Sequence, residues 1–169
     1  AKVGALFHDI GKLKNPQYFS ENQFAINIHD KLDPYISAEI IINHVKDGLE
    51  LAEHAALPKV VKDIIQQHHG TTLVKYFYVK CVKEKESAGE IVHERDFRYP
   101  GPIPQSKEAA VVMLADTVEA AVRSYISSGN DPSGIEELVN KLFKDKLDDG
   151  QLNDCRLDLK EIEIIKKDI

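Results

Sequence analysis

The sequence predicts an all-α domain, a bundle of helices interrupted by one long Pro/Gly-rich loop. Three observations carry that class. Apolar residues recur at three-to-four spacing along most of the chain. No pair of runs alternates apolar with polar residues as a half-buried strand pair would. Pro, Gly, Asn and Asp gather at a few discrete breaks instead of being spread throughout.

The elements follow in chain order. Residues 1–7 read as the last turns of a helix, so the chain is expected to be a fragment of a larger protein. Residues 37–55 place Ile40, Ile41, Val45, Leu49 and Ala52, with Ile36 just ahead of them, at helical spacing, with Pro34 suited to the start and Gly48 a candidate kink or break. Pro58 opens a further helix through Val60, Val61, Ile64 and Ile65, stopped by Gly70. Residues 71–85 form another, with Thr71-Thr72 as its expected N-cap. Residues 84–105 break the pattern: a charged stretch leads into Tyr99-Pro100-Gly101-Pro102-Ile103-Pro104, which no helix interior accepts. Ser106 restarts a strong helix through Val112, Met113, Ala115, Val118, Ala121 and Val122. After the break at 130–134, helices are expected at 135–147 and 158–168.

A chain of 169 residues, 43% hydrophobic and 30% charged, fits a single domain over 1–169. No apolar run is long enough to cross a bilayer, and no secretory signal stands out. A net charge of −6 with scattered Lys and Arg argues against a binder of duplex DNA or RNA, which needs clustered cations. Cys81 and Cys155 match no zinc-ligand spacing and read as two free thiols.

The chemistry lies in polar residues sunk into apolar helical stripes. His44 continues the stripe of Ile36 and Ile40, His68 that of Val60 and Ile64, and His69 that of Val61 and Ile65. Asp116 lies between Val112 and Ala120, and His8-Asp9 ends the apolar run of the first helix. Nitrogen and carboxylate donors facing a core are costly unless something satisfies them. Bland alternatives stay open for each one. A single inward histidine is often just hydrogen-bonded, His68-His69 could cap a helix C-terminus, and Asp116 could pair with Arg123. Taken together they point to a shared two-metal centre. In it Asp9 would bridge, and two cations about 3.5–4 Å apart would clamp a phosphate and activate water. The nitrogen-rich set suits Mn, Fe or Zn better than Mg. Lys12, one turn beyond Asp9, is the candidate to stabilise charge on a phosphate oxygen.

The run His8-Asp9-Ile10-Gly11-Lys12 resembles the signature of the HD superfamily of metal-dependent phosphohydrolases. The longer runs at 27–32, 44–48, 68–72, 97–102 and 113–121 resemble one branch, the cytoplasmic HD domain of seven-transmembrane HD receptors that degrade cyclic di-AMP. The resemblance spans nearly the whole chain. It implies an HD-domain helical bundle, with one metal held by His8, Asp9 and Asp116 and a second by Asp9, His44, His68 and His69. It also implies hydrolysis of cyclic di-AMP to linear pApA, Asp9 and Lys12 as the catalytic residues, and a parent protein in the plasma membrane. Enzymes of this type supply a further histidine from a helix preceding the doublet. Neither His29 nor His54 fits that role by position, so the first metal site is expected to be incomplete here. The absence of a Gly-Tyr-Pro run argues against cyclic di-GMP.

Candidate substrate contacts are Lys12, Thr71, Thr72, Arg98, Tyr99 and Arg123, with Tyr99 available to stack on adenine. His29 reads as a solvated loop residue, while His54 and His93 have no constellation around them. Two other functions compete with the leading one: a nucleotidase or dNTP phosphohydrolase sharing the metal core, and a sensor that binds a cyclic dinucleotide without cleaving it. Oligomeric state is not readable from the sequence.

Overall fold

The computed structural model describes residues 1–23, 27–86 and 89–169. Among these lie seven α-helices and six short 3₁₀ turns, with no β-strand. Ser87 and Ala88, inside the break expected over 84–105, lie outside the described residues.

Helix α1 (Lys2–Phe7) is short and hands over through His8 and Asp9 to a 3₁₀ turn, Ile10–Lys14. That turn lies on α2 (Pro34–His54), whose start is set by Pro34 and by the Asp33 carboxylate accepting the Tyr35 N–H at 2.8 Å. Gly48, a candidate kink, does not interrupt α2, which is one helix through it. Gly48 serves close approach. A Cβ on Gly11 would stand 1.8 Å from the His44 carbonyl oxygen and 2.5 Å from the Gly48 nitrogen. The paired glycines therefore let the turn carrying Asp9 and Lys12 lie against the helix carrying His44.

Helix α3 (Lys59–Gln67) buries Val61, Ile64 and Ile65, and ends where Gly70 takes a left-handed φ of 53°. A helix from Thr71 with a Thr-Thr cap does not form. Thr71 lies in a turn and residues 72–74 pair with the loop: Leu73 makes an isolated bridge with Arg98, the Val74 N–H donates to the Phe97 carbonyl at 2.8 Å, and the Tyr99 N–H donates to the Thr72 carbonyl at 3.1 Å. The long loop thus offers the backbone of Thr72 and Val74 partners, and the Arg98 side chain one for the Thr71 carbonyl, and these win over a helical start. Helix α4 (Lys75–Glu86) begins only after that pairing ends.

The loop between α4 and α5 is packed against the body of the domain. Phe97, on a 3₁₀ turn at Glu94–Phe97, is fully buried against Ala38, Phe77 and Cys81. The Gln105 N–H donates to Gln67 Oε1 at 2.9 Å. Helix α5 (Lys107–Ser127) starts as expected at Ser106, whose hydroxyl accepts the Ala109 N–H. Its Ala110, Met113, Leu114 and Val118 pack with Phe143 of α6 (Ile135–Asp148), Leu152, Cys155 and Ile162 of α7 (Leu159–Asp168). A capping box between Asp158 and Glu161 begins α7. Both cysteines are buried free thiols.

Candidate metal centre

Four elements converge on one point: the end of α1, the middle of α2, the end of α3 and the middle of α5. They bring His8, Asp9, His44, His68, His69 and Asp116 together. Two of the expected stripes are buried only toward that point, since Ile36 and Val60 are 49% and 59% exposed while His44 and His68 are 2% and 0%.

Backbone geometry fixes the orientation of three imidazoles. The Nδ1 of His8 lies 2.7 Å from the Ala5 carbonyl, that of His44 2.5 Å from Ile41, and that of His68 2.7 Å from Ile65. A carbonyl only accepts, so each Nδ1 carries a proton and each ring turns its Nε2 inward. There the Nε2 atoms meet one another and the carboxylates. His44 Nε2 is 3.3 Å from His68 Nε2 and 3.2 Å from Asp9 Oδ1. His68 Nε2 is 3.6 Å from the same oxygen. His8 Nε2 is 3.3 Å from Asp9 Oδ2 and 3.4 Å from Asp116 Oδ1, and His69 Nδ1 is 3.8 Å from Asp116 Oδ2. His8 Nε2 and Asp9 Oδ1 are buried with no hydrogen-bond partner among the described residues.

Acceptors crowded in this way require protons or cations between them. Burial works against a charge on His8, yet the carboxylates of Asp116 and Asp9 outweigh it and raise its pKa to about 10. Burial, aided by neighbouring imidazoles, holds His68 and His69 below the usual histidine value, the state in which they can ligate. Burial would raise the Asp9 carboxyl, but His44, His68, His8 and Lys12 together drive it far down. The donors fall into two groups whose ligand atoms all lie within 4.8 Å of one another: Asp9, His44, His68 and His69, and His8, Asp9 and Asp116. Asp9 belongs to both. Divalent cations fit this arrangement of imidazole nitrogens and carboxylate oxygens.

Lys12 adjoins the cluster. Its Nζ lies 2.6 Å from Asp9 Oδ2 and 2.8 Å from Glu21 Oε1, with the Phe19 ring centroid at 5.2 Å. Beside the donors opens a cavity of about 1010 Å³, lined by α1 and α5 on one side and by Tyr18, Phe19, His29 and Phe77 on another. It is large enough for a dinucleotide-sized ligand.

The remaining expected contacts separate into two groups. Tyr99 and Arg123 line the cavity. Tyr99 is 7% exposed and stacks on His69 with centroids 4.3 Å apart, so that face of its ring is covered by the imidazole. Arg123 sits beside Glu119, at 3.5 Å, and Asp116 faces His8 and His69 instead of an arginine. Thr71, Thr72 and Arg98, also expected to contact substrate, are not among the residues that line the cavity. The Thr71 hydroxyl accepts from Gln151 and the Thr72 hydroxyl from Lys146. Arg98 forms a two-pronged pair with Asp149 at 3.0 and 3.1 Å and donates to the Thr71 carbonyl. These groups are spent binding the loop to the end of α6.

His29 also departs from its expected place. It is 4% exposed, its Nε2 donates to the Tyr18 carbonyl at 2.8 Å, and its ring packs on Phe77. The Asn27 side chain accepts the His29 N–H at 3.0 Å. Glu21, Phe19 and Tyr18 were not legible as site residues. They sit in aperiodic 3₁₀ turns, where no spacing relates them to Lys12.

The fold and its donors define a helical domain built around a His/Asp cluster that could hold metal. The model of the HD domain family matches residues 1–121, and the chain belongs to that family. It is 52% identical over 168 residues to the cyclic-di-AMP phosphodiesterase PgpH of Bacillus subtilis (strain 168), which covers 99% of this chain and 23% of the relative. It is 46% identical over 166 residues to the protein of the same name from Listeria monocytogenes (serotype 1/2a, strain 10403S), covering 98% and 22%. The chain therefore spans less than a quarter of the length of these curated relatives. The crystal structure of the L. monocytogenes phosphodiesterase PgpH HD domain is similar with a TM-score of 0.87 at 46% identity, covering 98% of this chain and 75% of that one. The same domain in complex with cyclic-di-AMP gives 0.87 at 45% identity. HD-family membership implies use of divalent metal, for which the cluster offers the ligands. No helix among the described residues is long and apolar enough to cross a membrane.

Proposed function

We propose that this chain is the catalytic domain of a metal-dependent phosphodiesterase that hydrolyses cyclic di-AMP to linear pApA. The observation that carries this reading is the pair of donor groups sharing Asp9 at the wall of a dinucleotide-sized cavity. The named activity of the two PgpH relatives, and the cyclic-di-AMP complex of a structure this similar, support the choice of substrate.

His8, Asp9 and Asp116 would hold one cation, and Asp9, His44, His68 and His69 the other. When bound, the two cations supply Lewis acidity to a phosphate oxygen and to an attacking water. Three of the imidazoles are aimed by their bonds to backbone carbonyls, so little reorganisation is left for the moment of binding. Lys12 donates an Nζ–H to a non-bridging phosphate oxygen as charge builds there. Arg123, which lines the same cavity, would meet the second phosphate, and buried Tyr99 would keep His69 in position. Manganese or iron is the favoured pair and zinc is compatible, given mixed imidazole and carboxylate donors. By the same resemblance we place the domain on the cytoplasmic side of a longer membrane protein.

The test is a panel of cyclic di-AMP, cyclic di-GMP, pApA and dNTPs incubated with the Mn-loaded chain and resolved by chromatography. Conversion of cyclic di-AMP to pApA ahead of all others is the expected outcome. Intact cyclic di-AMP beside a cleaved dNTP would refute the substrate.

A further inference from the structure

Resting on that reading of the site, we propose that Glu21 is a positioning residue that keeps Lys12 at the cavity wall when Asp9 is taken up by metal. The Lys12 ammonium is shared between two carboxylates, Asp9 at 2.6 Å and Glu21 at 2.8 Å. The shared oxygen of Asp9, Oδ2, is also the one nearest His8 Nε2, at 3.3 Å. It thus points into the group formed by His8, Asp9 and Asp116. A cation entering that group competes with the ammonium for Oδ2 and repels it at close range.

Glu21 stands outside both donor groups and is untouched by that competition. It lines the same cavity as Lys12 and Asp9. Its carboxylate is partly sheltered, with 29% side-chain exposure against 22% for the lysine, and Phe19 lies under the ammonium. An ion pair in that setting keeps its geometry better than a fully exposed one, which contributes little. Holding the ammonium by one carboxylate leaves its other N–H groups free for a phosphate oxygen. Glu21 acts through Lys12 and touches neither metal nor substrate.

Two measurements on the whole chain test this. The first follows the Lys12 side-chain ¹H–¹⁵N signal in zinc-loaded protein, assigned by its loss in Lys12→Ala. The signal persists on zinc addition in the wild type and broadens away in Glu21→Gln. The second is a mutant cycle in manganese. Glu21→Gln lowers kcat about tenfold with bound metal unchanged, and adds nothing in the Lys12→Ala background. An unaltered lysine signal in Glu21→Gln overturns the proposal. So does lost metal, which would make Glu21 a ligand, or an equal loss of turnover with Lys12 already removed. If cyclic di-AMP is not cleaved at all, the proposed function fails while the zinc-loaded signal still decides the role of Glu21.

Discussion

Asp9 carries two oxygens pointed at different neighbours, Oδ1 toward His44 and His68 and Oδ2 toward His8 and Lys12. Removing them takes the common member from both donor groups. Asp9→Ala is therefore expected to lose bound metal and all turnover, read by elemental analysis beside the cyclic di-AMP assay. Lys12→Ala leaves every donor in place, so metal content should hold while hydrolysis falls by about 10²-fold. Wild-type turnover in that variant would make Lys12 a surface cation only. The six donors were legible because each interrupts an apolar helical stripe or ends one, and burial makes such an interruption costly. Glu21 was not, because a carboxylate in an aperiodic turn costs nothing in the sequence and gains its meaning only from where the chain folds back.

Among the elements, the contact of the 3₁₀ turn at Ile10–Lys14 with α2 is the tightest join in the site. A methyl group on Gly11 has no room against the His44 carbonyl. Gly11→Ala is expected to destabilise by about 3 kcal/mol and weaken metal binding together, since moving the turn moves Asp9. A thermal melt with a metal titration checks both. The loop fastening is separate. Arg98→Ala frees the loop from Asp149 and from the Thr71 carbonyl, at a cost of about 1–3 kcal/mol with donors unmoved. Denaturant midpoints should fall while metal stoichiometry stays the same. Helix positions were readable from periodicity and caps, as at Ser106 and Asp158. The start of α4 was not, because Thr71 and Thr72 look alike as a helix cap or as loop-paired chain. Only the partner loop, distant in sequence, selects between them.

For the molecule as a whole, stability carries a titration at Lys146, which lies behind the site. It is 7% exposed, donates to the Thr72 hydroxyl, and burial depresses its pKa from 10.5 to about 8. Between those values the unfolded chain binds a proton that the folded chain does not, so unfolding free energy rises with pH across about 8 to 10.5. The cost of about 3 kcal/mol is fully present below pH 8 and is relieved above it. Lys146→Met should gain stability over the wild type at pH 7 by more than at pH 10, in urea titrations at each pH. A difference independent of pH would place the lysine in water instead. The central claim, that one carboxylate joins two unlike cation sites, is tested most directly by counting manganese. Titration of the metal-free chain should give two ions, the tighter from the group with four donors. Asp9→Asn should then lose both, and Asp116→Asn only the weaker. Two ions retained by Asp9→Asn, or the same ion lost from Asp116→Asn and His68→Ala, would contradict a shared Asp9.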